Sequence, residues 1–204
     1  MKIISPDLCF KGARNYVHGT TIYQEIVGGA AQIAQHPADG PIRIDIRDPL
    51  LNQGNFHFKT KGDLNKVPAG ITANFSVRCG KQTINGWVSD NGKPVLRRIP
   101  YEESLIWESL KIEEKQIVIH GSPLFDPFEI CASMAVQLNN HLYPPEMKKK
   151  WLLSRIEFDH GIDKEDMKDL SLNHLQTFAN RFTKSEVRNK QGAFGFLYFS
   201  IGSV

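Results

Sequence analysis

One pattern of elements occurs twice along this chain, and it constrains the fold more than any other feature. In each half, a segment with helical periodicity precedes short segments that alternate between apolar and polar residues, as β-strands do. The helices are predicted at 20–34 and 128–141. Both are rich in apolar residues around much of their circumference, so each needs a sheet to cover it. We therefore predict an α+β protein in which antiparallel sheets pack on buried helices.

Alternation and turn residues define the other elements. Asp90-Asn91-Gly92 predicts a tight turn within a meander of strands, and residues 189–192 predict the turn of a closing hairpin. A short amphipathic helix at 102–110 is expected to link the halves, and a charged helical turn is expected at 163–170. The predicted strands are 42–46, 71–79, 82–89, 95–99, 115–120, 151–158, 177–187 and 193–201.

Short residue matches in the same order indicate an internal duplication. The matched pairs are His18-Gly19 with His120-Gly121, Glu25-Ile26 with Glu129-Ile130, 43–46 with 155–158, and Gly86-Trp87 with Gly195-Phe196. They predict two repeats, 1–101 and 113–204, joined by a linker helix at 102–112. The alternative is that the matches are accidental and that the fold is another α+β arrangement.

Charge and motifs exclude several classes of function. The 204 residues carry 25 basic and 22 acidic side chains, a formal charge of +3. This balance is too mild, and too evenly spread, to indicate a nucleic-acid-binding protein. The sequence contains no GxxxxGK[ST], GxGxxG or GxSxG motif, so phosphate-cradling loops and the serine nucleophile elbow are not predicted.

The spacing of the cysteines and the length of the apolar stretches indicate in which cellular compartment the protein is found. The N-terminal apolar run stops at Ile4, and no stretch approaches the length of a membrane span. Three widely spaced cysteines, Cys9, Cys79 and Cys131, fit reduced thiols, and we expect Cys131 to be a small core residue. Neither cysteines nor histidines show metal-ligand spacing. We expect a cytoplasmic protein with no metal and no cofactor.

A strand, one long buried helix and an antiparallel sheet within about 100 residues resemble the hotdog fold, whose sheet wraps a central apolar helix. Two copies in one chain resemble a double hotdog, an intramolecular pseudo-dimer. Pairing of two copies is physically favourable, because a single copy leaves an edge strand and part of an apolar face exposed, and a second copy can cover them. Hotdog proteins typically handle acyl thioesters of coenzyme A or acyl carrier protein, at a site between the two hotdogs.

The resemblance implies specific site residues. In the dehydratases of this family, a histidine near the helix start works with a carboxylate on the partner's helix, and in the thioesterases a helix carboxylate usually activates water. His18 or His120 would be the imidazole, and Glu25 or Glu129 the carboxylate. The implied pairs join the repeats: His120 with Glu25, or His18 with Glu129. Burial would raise the carboxylate pKa, and helix N-terminal N–H groups would polarise the thioester carbonyl.

Each of these residues also has a purely structural interpretation. The two histidines are alternatively helix caps or strand ends, and the two glutamates are alternatively first-turn carboxylates favoured by the helix dipole. Gly28 and Gly29 are expected to serve helix–sheet packing. The remaining basic residues are either solvated charges or contacts for coenzyme A phosphates or an acidic carrier protein. They are Arg14, Arg97, Arg98, Lys148, Lys149 and Lys150.

The sequence thus predicts an acyl-thioester binding protein that acts as a thioesterase or a hydroxyacyl-thioester dehydratase at the interface of the repeats. The alternative is a non-catalytic binding or assembly module that retains the fold. The expected partner is a small-molecule acyl thioester on coenzyme A or acyl carrier protein, with no nucleic acid and no membrane. A homo-oligomer is left open.

Overall fold

The computed structural model describes residues 1–60, 68–121, 124–146 and 149–203. The chain divides into two compact units. Unit 1 is Met1–Tyr101 with Asp159–Gly161, and unit 2 is Glu102–Phe158 with Ile162–Val204. The helices are α1 (Gly19–Ala34), α2 (Ser104–Trp107) and α3 (Pro127–Leu142). The strands are β1 (Lys2–Ile4), β2 (Cys9–Lys11), β3 (Ile42–Ile46), β4 (Asn52–Lys59), β5 (Ala73–Cys79), β6 (Gln82–Pro94), β7 (Arg97–Ile99), β8 (Leu110–Glu113), β9 (Gln116–Ile119), β10 (Lys150–Phe158), β11 (Ser171–Phe178), β12 (Phe182–Asn189) and β13 (Gly192–Gly202).

Unit 1 wraps an antiparallel sheet on α1. The strand order is β1-β4-β6-β5-β3, and α1 packs against β4, β5 and β6. Alternate residues of each strand point to the helix and form the core with its apolar face, as a half-buried sheet requires. The core side chains include Ile22, Ile26, Ala30, Ile42, Ile44, Phe56, Phe58, Phe75, Val77, Ile84 and Val88.

The glycine pair in α1 has two different environments. A Cβ on Gly29 would lie 2.4 Å from the Phe58 ring, whereas a Cβ on Gly28 would meet nothing within 4 Å. The packing role predicted for the pair is therefore correct for Gly29 and wrong for Gly28, which is exposed. The first turn of the helix is buried around its whole circumference, because the four residues 20–23 are all buried, whereas beyond it the buried residues Ile26, Gly29 and Ala30 lie on one face.

The turn predicted at 90–92 is wrong, because β6 continues through it. The Asp90 carboxylate accepts a hydrogen bond from the Gly92 N–H at 2.7 Å, and Gly92 has a φ of +74°. The opposite strand shifts register between Asn52 and Gly54. These residues thus form a bulge within a strand pair, not a reversal of the chain. The next strand, β7, leaves the meander and pairs in parallel with β2.

Three strands of unit 1, β1, β2 and β4, were not predicted. β4 lies beside β6 and carries β1 on its other side. Its alternation is present in the sequence, with Gly54, Phe56 and Phe58 buried and Asn55 and His57 between them. The polar character of the segment masks this pattern, because only the two phenylalanines are strongly apolar.

Unit 2 repeats the combination of one long helix and an antiparallel sheet. Its strand order is β10-β13-β12-β11-β9-β8, and α3 packs against β9, β10, β11 and β12. The core side chains include Phe128, Ile130, Cys131, Met134, Ala135, Leu138, Ile156, Phe158, Leu172, Val187, Leu197 and Phe199. The buried Cys131 confirms the prediction of a core residue.

The charged helical turn expected at 163–170 is confirmed as a short 3₁₀ turn, Asp166–Asp169. Two other element predictions fail in unit 2. The helix expected at 102–110 is only the single turn α2, after which β8 forms a hairpin with β9. The strand expected at 177–187 contains a hairpin turn, because Ala179 and Asn180 both adopt positive φ and separate β11 from β12. The closing hairpin around 189–192 is confirmed.

The two units share their chain order but differ in sheet order. In each, two short strands precede the long helix, and four strands of the large sheet follow it: β3 to β6 in unit 1 and β10 to β13 in unit 2. The fourth of these in unit 1, β6, lies between β4 and β5, whereas the fourth in unit 2, β13, lies between β12 and β10. The aligned glycines have similar surroundings: a Cβ on Gly86 would lie 2.3 Å from the Phe75 ring, and one on Gly195 would lie 2.2 Å from Phe158.

Candidate functional site

The start of α1 is built by a short parallel ribbon. β2 ends at Lys11, and the Gly12 N–H donates to the carbonyl oxygen of Ile99, next to β7, at 3.0 Å. The guanidinium of Arg98 donates to the carbonyl oxygens of Gly12 and Arg14, both at 2.6 Å. Arg98 therefore fixes the loop that carries Lys11 and Arg14 toward the first turn of α1. The Arg98 side chain thus has a structural role in this loop.

His18 is the residue immediately before α1. Its backbone is extended, and its side chain makes no capping hydrogen bond, so the predicted capping alternative does not apply. The imidazole Nδ1 instead lies 2.8 Å from Oγ1 of Thr20. The same oxygen accepts a hydrogen bond from Nζ of Lys11 at 3.2 Å, and Lys11 is only 5% exposed. Lys11, Thr20 and His18 thus form a connected chain of polar groups.

The surroundings keep the His18 imidazole neutral. Burial lowers the pKa of His18 well below its usual 6.5, and the positive charges of Arg14 and Lys11 lower it further. The Tyr101 ring lies beside the imidazole, with 5.7 Å between ring centroids, and the Arg14 guanidinium lies 5.2 Å from the centre of the Tyr101 ring. At neutral pH His18 is therefore an uncharged group next to two cations.

Glu25 lies two turns further along the same helix. Its side chain is half-buried, and burial raises the pKa of its carboxyl group. Seven residues separate it from His18, which places both on one side of the helix, with about 10 Å between them along the axis. That separation is too large for a direct hydrogen bond but leaves room for a ligand that contacts both.

The corresponding residues of unit 2 are arranged differently. His120 lies just after β9, exposed to solvent, and its N–H donates to the carbonyl oxygen of Ser109 at 2.7 Å. Helix α3 begins only at Pro127, after the N-cap Asp126. His120 thus precedes α3 in the chain, as predicted, but a different residue pair, Asp126 and Glu129, starts the helix.

Glu129 belongs to that pair. The Asp126 carboxylate accepts a hydrogen bond from the Phe128 N–H at 2.9 Å, and the Asp126 N–H donates to the Glu129 carboxylate at 3.4 Å. This reciprocal arrangement is a capping box, which satisfies amides that the helix leaves open. The first-turn role left open for Glu129 is thus present in the structure, whereas Glu25 lies inside its helix and burial raises the pKa of its carboxyl group.

Other basic residues named from the sequence are engaged at the surface. Arg97 forms an ion pair with Asp7 at 2.6 Å, and Lys149 forms one with Glu146 at 2.6 Å. Lys150 begins β10 and is exposed, and Lys148 lies outside the described residues. Such exposed charges contribute little to stability.

Sequence reasoning missed Lys11 and Thr20. No periodic pattern marks Lys11, because its place beside His18 depends on the pairing of β2 with β7, far along the chain. Thr20 had a local signal, since it follows His18 by two residues at the start of a predicted helix. Across the part of the chain that the structure describes, no group of three or more histidine, cysteine or acidic side chains is placed to hold a metal ion. No helix in the same part is long and apolar enough to cross a membrane.

Comparison with known proteins identifies the fold. No protein-family model matches the sequence, and no curated protein matches it. Solved structures do match, and they have the hotdog fold. The chain has a hotdog fold. The tesB protein of Mycobacterium avium subsp. paratuberculosis has 10% sequence identity and a TM-score of 0.51, with 95% of this chain and 89% of that chain covered.

A second match is the pyran synthase domain from module nine of the sorangicin pathway. It has 12% identity and a TM-score of 0.51, with 96% of this chain and 91% of that chain covered. Identities this low establish the fold alone. The resemblance inferred from the order of the elements is therefore confirmed as a resemblance in fold, and the activity has to be argued from the residues of this chain.

Proposed function

We propose that this protein binds an acyl thioester, carried by coenzyme A or acyl carrier protein, and acts on it as a thioesterase or a hydroxyacyl-thioester dehydratase. The observation that carries the proposal is the neutral His18 at the start of the central helix of a hotdog fold, two turns before a carboxyl group with a raised pKa. A neutral donor and a base of raised pKa are what acyl-thioester chemistry requires.

The polar chain around His18 supports a role as hydrogen-bond donor. An ammonium group only donates, so Lys11 donates to Thr20. The Thr20 hydroxyl oxygen accepts this hydrogen bond, and its own proton is then free to be donated to Nδ1 of His18. The neutral imidazole carries its proton on Nε2, where it would donate to a thioester carbonyl oxygen. The open backbone N–H groups in the first turn of α1 would add to this polarisation.

Glu25 is the proposed base. In hydrolysis its carboxylate would remove a proton from a water molecule and pass it to the departing thiolate, which leaves as a thiol. In dehydration it would remove a proton from the carbon next to the carbonyl group and pass it to the β-hydroxyl group, which leaves as water. Desolvation raises the pKa of Glu25 toward the working pH, which favours proton transfer. Glu129 is the weaker candidate, because the amide of Asp126 already donates to its carboxylate.

We also propose that the chain consists of two tandem hotdog repeats that arose by duplication, and that the repeats share one site. This proposal includes the pairs His120 with Glu25 and His18 with Glu129, and location in the cytoplasm. The shared chain order of the units supports a duplication. The alternative function, a non-catalytic binding or assembly module, is favoured by one observation: the exposed His120 and the capping Glu129 do not form a second His18-like arrangement.

Turnover by single variants tests the proposal. Thiol release from acyl-CoA and hydration of enoyl-CoA are measured for wild type, Glu25→Gln, His18→Gln, His120→Gln and Glu129→Gln. We expect kcat to fall about 100-fold or more in Glu25→Gln, as for loss of a general base. Glu129→Gln is the matched control, because glutamine also completes a capping box.

The outcomes separate the candidates. A loss in Glu25→Gln and His18→Gln with normal Glu129→Gln supports the proposed roles, and an added loss in His120→Gln supports the cross-repeat pair. Equal turnover in all variants would remove these residues from catalysis. Binding of acyl-CoA with no turnover by the wild type would establish the binding module instead.

A further inference from the structure

Three side chains of unit 2 hold buried polar atoms that have no hydrogen-bond partner among the described residues, and they lie away from the start of α3. Asn139, in the last turns of α3, is 0% exposed, and neither its side-chain oxygen nor its nitrogen has a hydrogen-bond partner among the described residues. In the same part of the chain, Nδ1 of His174 and Oγ1 of Thr183 are also buried without a partner. Buried polar groups in folded proteins are normally hydrogen-bonded, so each of these atoms needs an explanation.

The fold brings these side chains to one place. Tyr143 directly follows α3, and its N–H donates to the carbonyl oxygen of Asn139 at 2.8 Å. Its hydroxyl oxygen lies 3.5 Å from Nε2 of His174. His174 pairs with Ser185 across β11 and β12, and Thr183 is two residues from Ser185 on the same buried face. Helix α3 packs against both strands. The unpartnered atoms therefore lie between the C-terminal half of α3 and the β11–β12 hairpin.

The chemistry of this cluster is polar and uncharged. Burial lowers the pKa of His174, with a smaller effect from Lys115, so its imidazole is neutral at pH 7. Nε2 of His174 is already engaged by the Thr177 hydroxyl at 2.8 Å, which leaves Nδ1 for another group. The Asn139 amide both donates and accepts. An ion would lack a counter-charge among these groups, whereas a neutral group with donors and acceptors would satisfy them.

We propose that Asn139, His174 and Thr183 form a binding site for a neutral hydrogen-bonding group of the ligand, a carboxamide or a hydroxyl. The inference rests on the proposed function, since acyl thioesters offer both chemistries: amides in the pantetheine arm and a hydroxyl in a hydroxyacyl chain. Tyr143 and Thr177, which both contact His174, are partly exposed, so a ligand would reach the cluster from their side. Specificity would follow, because a ligand without the matching group would leave these atoms unpaired.

Binding by the full chain to three probes tests the site: pantetheine, butyryl-CoA and β-hydroxybutyryl-CoA. The variant is Asn139→Leu, which keeps the volume and removes the amide, and Thr183→Val is a second variant in case the first does not fold. Ser133→Ala is the matched control, since Ser133 is a buried polar residue of the same helix whose hydroxyl accepts a hydrogen bond from Trp107 at 3.0 Å.

A site for amides predicts that Asn139→Leu weakens pantetheine binding about tenfold or more. A site for hydroxyls predicts that the preference for β-hydroxybutyryl-CoA over butyryl-CoA falls by a similar factor. In both cases Ser133→Ala binds like the wild type. Unchanged affinities for all probes in Asn139→Leu and Thr183→Val would overturn the inference and indicate a polar cluster that holds only internal water. If the wild type binds none of the probes, the proposed function itself fails.

Discussion

His18 concentrates the chemistry of this protein in one side chain. It lies at the start of a helix, beside Lys11 and Arg14, and burial makes its protonation unfavourable. The sequence was sufficient to single out this histidine, because it directly precedes an apolar helix. It was not sufficient to predict the neutral state of the imidazole, since Lys11 and Tyr101 reach it only through tertiary structure.

The lowered pKa of His18 predicts acid sensitivity. The unfolded chain binds a proton near pH 6.5 and the folded chain only at lower pH, so the contribution of His18 to stability is present above pH 6.5 and is lost as the pH falls below it. His18→Gln should flatten the decrease in unfolding free energy between about pH 7 and pH 5. Urea denaturation at several pH values measures this.

A residual slope is expected in that variant, because burial also lowers the pKa of His57 and His174. His120→Gln is the control: His120 is exposed, so its variant should keep the wild-type slope. Identical slopes in His18→Gln and the wild type would show that His18 is protonated as easily in the folded protein as in the unfolded chain.

At the scale of elements, the long apolar helices were predictable, whereas only some of the turns were. The predicted 20–34 and 128–141 are close to α1 and α3, because an amphipathic face over four turns is a strong signal. Asp90-Asn91-Gly92 has the composition of a hairpin turn but forms a bulge, since β4 continues to pair with β6 on both sides of it. A local motif does not reveal whether a distant strand will pair across it.

Helix–sheet packing in unit 1 depends on the absence of a side chain at Gly29. Gly29→Ala should destabilise the protein by about 1–3 kcal/mol, because the new Cβ would force the buried Phe58 ring to move. Gly28→Ala is the matched control in the same turn. It adds helix propensity in open space and should stabilise the protein by about 0.5–1 kcal/mol. Thermal and urea unfolding of both variants measure the difference.

Opposite signs for the two substitutions would confirm that close approach, and not flexibility, is the reason for glycine at 29. Equal stabilisation by both would mean that α1 does not press on β4 as the structure shows.

At the scale of the whole molecule, the order of elements was informative and the pairing of strands was not. The sequence predicted two helices, each followed by antiparallel strands, and from this a resemblance to the hotdog fold that the solved structures confirm. It did not predict that β6 and β13 occupy different places in their sheets. Strand order depends on which strand edges meet in space. Residues such as Gly86 and Gly195 indicate close packing, but the sequence does not show which residue packs against them.

The same limit applies to the candidate site. His18 and Glu25 were visible because each lies at a defined position of one predicted helix. Thr20 and Lys11 complete the polar chain, yet Lys11 comes from a strand held by β7, and Arg98 fixes the intervening loop through backbone carbonyls. Every residue has a backbone carbonyl group, so a contact with a backbone atom cannot be recognised from the type of residue that makes it.

The central claim is that this chain binds acyl thioesters, and calorimetric titration tests it most directly. The ligands are acyl-pantetheine ketone analogues, in which a methylene group replaces the thioester sulfur so that hydrolysis cannot occur, with acyl chains of increasing length. We predict saturable binding that is tighter than for pantetheine alone and strengthens by up to about 0.8 kcal/mol for each methylene group buried. Absence of binding, or equal affinity for pantetheine with and without an acyl chain, would contradict the account.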